Sequence, residues 1–318
     1  MKQIYIGEAM KNRRLELRLS QDEVCEGICE VMTLSRLENG RQTPTHNRIK
    51  ALMQRLNMPD DRYYALLNTQ ELELDNSRRE FLSRFNRFER ASEDQKHSLW
   101  ELAVEQLRKM ESLAAKDDTI TQQFILSNKA LLGREDGPYS LEERLKMQLA
   151  ALRLTVPKFD LENIGSHRYS LDETQLLNQI AVTYSTSGEH IRATQLYGQL
   201  YEYANKSTDR LSAYARNLTL VAHNYSRELA IQKYYDKAIE IAEHGKRVGV
   251  NYGYYQFLPG LLYITGECYY RLGEAEESKE SCLEAHYLYK VLEDEHNLRL
   301  LDSDMKKWFD MDFWDSHF

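Results

Sequence analysis

A chain of 318 residues with 42% hydrophobic content can build more than one packed core, and five prolines with 14 glycines leave little room for disorder. No leader peptide and no 18-residue apolar run is visible, so a cytoplasmic protein with no membrane partner is expected. The formal charge of −8 is uneven: residues 1–70 hold 11 Lys and Arg against 9 Asp and Glu (+2), and the rest hold 31 against 41 (−10). Phosphate contacts depend on local charge, so an acidic chain of this kind can still bind DNA through its N-terminal part.

The spacing predicts a first helix over 4–19, with Ile6, Met10, Leu17 and Leu19 on one side. Ser20 and Glu23 then form a capping box, and Val24 and Ile28 share a buried face. Gly27 permits a turn around Ile28 and Cys29. Leu34 and Leu37 mark the inner face of the next helix, which Gly40 closes after Asn39. This is the layout of a helix-turn-helix, whose second helix enters the major groove. Met32, Thr33 and Arg36 project away from the core, flanked by Val31 and Ser35. Arg36 suits bidentate pairing with guanine, and Val31 and Met32 suit thymine methyls. Gln21 begins the preceding helix, where phosphate is commonly met, and Asn39 and Arg41 lie past the helix end on the backbone side. Thr43-Pro44-Thr45 starts a fourth helix through Leu56, Pro59 breaks it, and Asp60 to Leu67 makes a fifth. Asn68 to Ser77 is a polar connection without Gly or Pro, which favours a stiff helical linker.

Leu19-Ser20-Gln21 and Leu34-Ser35-Arg36-Leu37-Glu38-Asn39-Gly40 resemble the DNA-binding domain of phage repressors and the xenobiotic-response-element family. The Glu26-Gly27-Ile28-Cys29 turn followed by LSRLENGRQTP resembles the Rgg and PlcR type (RRNPP group) of peptide-responsive transcription regulators. Glu30 departs from the resemblance, since those proteins often carry Ser or Thr there. The resemblance also implies an ion pair between Arg14 and Glu38, joining the first helix to the end of the third.

From Arg78 onward no strand-like alternation persists, and helix pairs recur instead. Leu177, Ile180, Ala181, Tyr184, Ala193, Tyr197 and Leu200 fit a tetratricopeptide pattern. Leu262, Gly266, Tyr269, Gly273, Ser278, Cys282 and Ala285 fit the same one, and Ala222, Tyr225, Ser226, Leu229, Ala238, Ala242 and Gly245 give a weaker copy. The small anchors Ala193, Ala238 and Ser278 are 45 and 40 residues apart, beyond the usual period of about 34. Phe124 to Pro157 and Arg78 to Ala115 add two looser pairs. The expected fold is therefore all-α: a five-helix helix-turn-helix domain over 1–70, then a tetratricopeptide-like α-solenoid of about five helix pairs over 71–318.

The first helix of each pair lines the concave surface. Its groove positions hold Asn128, then Gln175, Asn178 and Gln179, then His223, Asn224 and Arg227, and last Tyr263, Glu267 and Tyr270. Asparagine recurs at Asn128, Asn178 and Asn224, and its amide offers the donor and the acceptor that an extended peptide backbone requires. Resembling regulators hold signal peptides by asparagines on this surface. What the resemblance implies is a homodimer on a double-stranded DNA operator with two half-sites, whose geometry responds to a short linear oligopeptide. The rival reading is a DNA-binding regulator or scaffold whose repeats bind another protein and no peptide signal. No GxSxG, HExxH, Walker or GxGxxG pattern is present, so neither an enzyme nor a cofactor is expected. Cys25, Cys29, Cys268 and Cys282 show no zinc spacing, hence no metal; small apolar core residues are the plain reading, a redox thiol the alternative. The aromatic tail Trp308 to Phe318 suits a cap on the last repeat.

Overall fold

In the first part of the chain, α1 (Ile6–Glu16), α2 (Gln21–Cys25), α3 (Val31–Glu38) and α4 (His46–Arg55) surround one small core. The computed structural model describes residues 6–58, 69–91, 93–133, 139–208 and 213–309. Met10, Val24, Ile28, Leu34, Leu37, Ile49 and Leu52 are all 2% exposed or less, and each contributes about 1.5–3 kcal/mol by leaving water. Helix α1 stops before residue 19 because Arg18 adopts a left-handed φ of 56°. Leu17 and Leu19 still pack against this core. Ser20 caps α2 with the full reciprocal box: its hydroxyl accepts from Glu23 N, and its own N–H donates to the Glu23 carboxylate at 2.7 Å. The helix expected over 60–67 lies outside the described residues.

The remainder is a succession of antiparallel pairs: α5 (Thr69–Arg90) with α6 (Glu93–Leu113), α7 (Thr119–Leu132) with α8 (Leu141–Thr155), α9 (Leu171–Thr186) with α10 (His190–Thr208), α11 (Tyr214–Ile231) with α12 (Tyr235–Tyr252), and α13 (Leu258–Leu272) with α14 (Ala275–Val291). A single helix, α15 (Glu295–Phe309), follows. Among the described residues there is no strand, and the fold is the all-α solenoid anticipated. From Thr69 through Ser77 the polar connection is helical, being the first part of the 22-residue α5. Ala193, Ala238 and Ser278 are fully buried where the helices of a pair cross, and Ser278 Oγ donates to Gly266 O at 2.8 Å. Helices of 15 to 19 residues from α9 to α14 account for the long repeat spacing.

The N-terminal helices rest directly on the solenoid. Arg55, the last residue of α4 and 3% exposed, donates from Nη2 to Glu173 Oε1 at 3.0 Å and to Thr155 O at 2.8 Å. Its Nη1 donates to Val24 O at 3.2 Å and to Glu26 O. One guanidinium thus ties the turn between α2 and α3 to the end of α8 and the start of α9. Leu171 N donates to Gln54 Oε1 at 3.1 Å, and Thr119 Oγ1 donates to Gly27 O at 2.9 Å. Gly27 has a φ of +72° and lies so close that a Cβ there would stand 1.9 Å from Thr155 O. Only glycine fits both demands.

Candidate DNA interface and concave face

Helix α3 presents the side chains that the sequence assigns to it. Leu34 and Leu37 are fully buried, while Val31 is 38% and Met32 61% exposed, and Arg36 also faces solvent. Thr33 and Ser35 are half-buried at the edges of that face. Asn39 turns its amide back to Ser35 O at 2.7 Å and so finishes the helix, leaving Arg41 exposed beyond it. Glu30 is the N-cap residue of α3 and makes no side-chain cap bond.

The base of this face is fixed by a fork. Arg14 Nε and Nη2 donate to Glu38 Oε1 and Oε2 at 2.6 and 2.8 Å, with side chains 9% and 1% exposed. The Glu38 carboxylate holds the Arg14 guanidinium still more firmly protonated than usual. Gln21 Nε2 joins the pair, donating to Glu38 Oε2 at 2.7 Å. Its amide is therefore tied to the end of α3 as well as standing at the start of α2. The count of basic residues also changes meaning here, because Arg14 and Arg55 spend their charge on buried carboxylates.

The first helices of two adjacent pairs, α9 and α11, bring their amides together. Asn224 Nδ2 donates to Asn178 Oδ1 at 3.1 Å, and the His223 Nδ1 to Asn224 Oδ1 distance is 3.2 Å. Burial pushes His223 down to about 4, so its ring is neutral at physiological pH and its Nδ1–H is the donor to Asn224. Gly260 on α13 leaves space for that ring; a Cβ there would stand 2.4 Å from His223 Nε2. Gln175 reaches Asn217 Oδ1 at 3.4 Å, and Asn217 Nδ2 donates to Leu171 O at 2.9 Å. Gln179 is half-buried beside them, and Arg227 is exposed.

Asn128 does not join this chain of amides: it donates back to Phe124 O in its own helix at 2.7 Å and is 7% exposed. Tyr263 and Tyr270 are covered by the last helix. Tyr263 OH donates to Asp304, and Tyr270 stacks on Trp308 with ring centroids 5.0 Å apart, while Phe309 meets it edge-on. Glu267 stays on the α13 surface and pairs with Arg271 at 3.6 Å. The described start of the aromatic tail, Trp308 and Phe309, thus packs on the last pair; residues 310–318 lie outside the described residues. Sequence reasoning missed Arg55 and Glu173, which stand 118 positions apart and carry no local signal of pairing.

A helix-turn-helix with an exposed second helix, mounted on an α-solenoid with amides paired between α9 and α11, defines a ligand-responsive class of transcription regulator. Sequence comparison agrees: a helix-turn-helix family matches residues 10–62, and the RNPP family C-terminal domain matches residues 139–308. The chain belongs to the RNPP family. No curated protein sequence matches the chain. Among solved structures, PlcR of Bacillus thuringiensis in complex with the peptide PapR7 and DNA is similar at 17% identity, a TM-score of 0.60, and coverage of 93% of this chain and 98% of that one. Its apo form is similar at 15% identity and a TM-score of 0.54, covering 92% and 98%. Aspartyl phosphate phosphatase F of Bacillus subtilis follows at 12% and 0.51, covering 97% and 82%. At these identities the likeness is one of fold. Among the described residues no helix is long and apolar enough to cross a membrane.

Proposed function

We propose that this chain acts as a homodimer that binds a DNA operator with two half-sites through α3, and a short linear oligopeptide across α9 and α11. Residues 1–70 serve as the DNA-binding part, and residues 71–318 as the part for peptide sensing and dimerisation. Arg36, Met32 and Val31 read base edges, with Thr33 and Ser35 beside them, while Gln21, Asn39 and Arg41 set the register on phosphate. A single helix-turn-helix reaches few bases, which is why two coupled copies are needed.

The observation that carries the peptide reading is the chain His223, Asn224, Asn178. An incoming peptide brings unpaired amides and carbonyls, and side chains paired only with one another exchange partners at little cost. Gln175 and Gln179 extend the same face toward the start of α9, and Arg227 and Glu267 offer opposite charges for a peptide terminus or side chain. Asn128, Tyr263 and Tyr270 contribute at the two ends, where Tyr263 and Tyr270 must first leave α15. PlcR, of the same fold, has been captured with both a peptide and DNA, which supports a shared arrangement. Binding is then coupled to dimer geometry by the contacts of α9 with the N-terminal helices.

The test is calorimetry with a peptide selected from a synthetic library against the full chain. Asn178→Ala and Asn224→Ala should each weaken it by about 1–3 kcal/mol. Unchanged affinity in the double variant, with helicity intact by circular dichroism, would remove this face as the ligand site.

A further inference from the structure

The four cysteines occupy two environments. Cys268 and Cys282 are fully buried between α13 and α14, and burial pushes both thiols up to about 12. Cys25 and Cys29 stand at the two ends of the turn between α2 and α3. The Cys25 carbonyl accepts from Ile28 N at 2.9 Å and from Cys29 N at 3.0 Å. Such an i→i+4 closure keeps the two Cα atoms roughly within the 4.4–6.8 Å that a disulfide spans. The two side chains leave the chain one helical turn apart, close enough for each thiol to act on the charge of the other.

The partners are not equivalent. Cys25 is 2% exposed, and its thiol donates weakly to Asp22 O at 3.7 Å. Cys29 is half-buried and reaches solvent. The neighbouring Cys25 thiol, with the charges of Arg48 and Arg55, holds the Cys29 thiol below the usual range against burial and Glu30, while Cys25 is pushed up. A thiol with solvent access and a second, buried thiol one helical turn away is the arrangement in which the exposed thiolate is the nucleophile and its neighbour resolves the product.

We infer that Cys25 and Cys29 form a dithiol site that peroxide oxidises to an intramolecular disulfide, with Cys29 attacking and Cys25 resolving. The Cys29 thiolate attacks one peroxide oxygen, the O–O bond breaks, and hydroxide leaves, giving a sulfenic acid on Cys29. Cys25 Sγ then attacks Cys29 Sγ and the S–O bond breaks. The departing hydroxide takes the Cys25 proton as water. Two thiols and one hydrogen peroxide become one disulfide and two waters. The bridge would close the turn that leads directly into α3, where Glu26 O and Gly27 O are already held by Arg55 and Thr119.

The experiment treats the native full chain with hydrogen peroxide, then alkylates free thiols and maps the peptides by mass. The expected product lacks two hydrogen atoms, links the Cys25 and Cys29 peptides, and reverts with dithiothreitol, while Cys268 and Cys282 remain alkylatable after unfolding. In Cys25→Ser, Cys29 should stop at a sulfenic acid that dimedone traps. In Cys29→Ser, Cys25 should stay reduced. Peroxide that oxidises free glutathione but leaves both native thiols alkylatable would overturn the assignment. So would conversion of Cys29 to sulfinic acid with Cys25 still reduced. The wild-type measurement decides the matter even if a serine variant fails to fold.

Discussion

Arg36 carries its charge on the open side of α3 with no carboxylate partner among the described salt bridges, unlike Arg14 and Arg55. Arg36→Ala should therefore cost about 1–3 kcal/mol in operator binding and relax preference at one base pair, measured by titration of single-base operator variants. His223 sets a second expectation at this scale. Burial lowers it to about 4 from an ordinary 6.5, against the opposing bond to Asn224. The unfolded chain then binds a proton more readily than the folded one between those values, so stability rises with pH across that window. The contribution is complete above about pH 6.5 and fades as pH falls toward 4. Urea midpoints taken at neutral and mildly acid pH should show this slope in the wild type and a shallower one in His223→Gln.

Among the elements, the contact of α4 with α8 and α9 rests on one buried guanidinium. Arg55→Ala leaves Glu173, 2% exposed, without its cation and orphans the carbonyls of Val24, Glu26 and Thr155. The expected loss is about 3–5 kcal/mol in chemical unfolding, with part recovered in Arg55→Ala, Glu173→Gln, which removes the stranded charge but keeps a group that can bond Ser170 N. Equal stability of the two variants would show that the charge is not what costs. The helix-turn-helix was legible because its determinants are local: the Ser20 and Glu23 box, Leu34 and Leu37 three apart, Gly27 at the turn. Ala193, Ala238 and Ser278 likewise disclosed the repeats, since close helix crossings demand small side chains at fixed offsets. The inner face was legible only in part. Spacing places Asn128 in line with Asn178 and Asn224, yet nothing in spacing says that its amide folds back on Phe124 O. Nor does it reveal that α15 returns to cover Tyr263 and Tyr270, a contact made across some forty intervening residues.

For the whole molecule, the bonds from Arg55, Gln54, Gly27 and Arg48 to the solenoid mean that covalent continuity is not what orients the N-terminal helices. The two parts behave as a pre-bound complex that happens to share a chain. Residues 1–58 and 69–318, expressed together as separate polypeptides, should then assemble, and a tag on one should retain the other through size-exclusion chromatography. Arg55→Ala should abolish that retention, because the same guanidinium closes both the turn and the junction. Gly27 gives the sharper genetic handle: any side chain there meets the Thr155 carbonyl before it meets DNA. Variation at that position would be selected against in fusions and natural sequences alike for the sake of a junction, with the operator sequence playing no part.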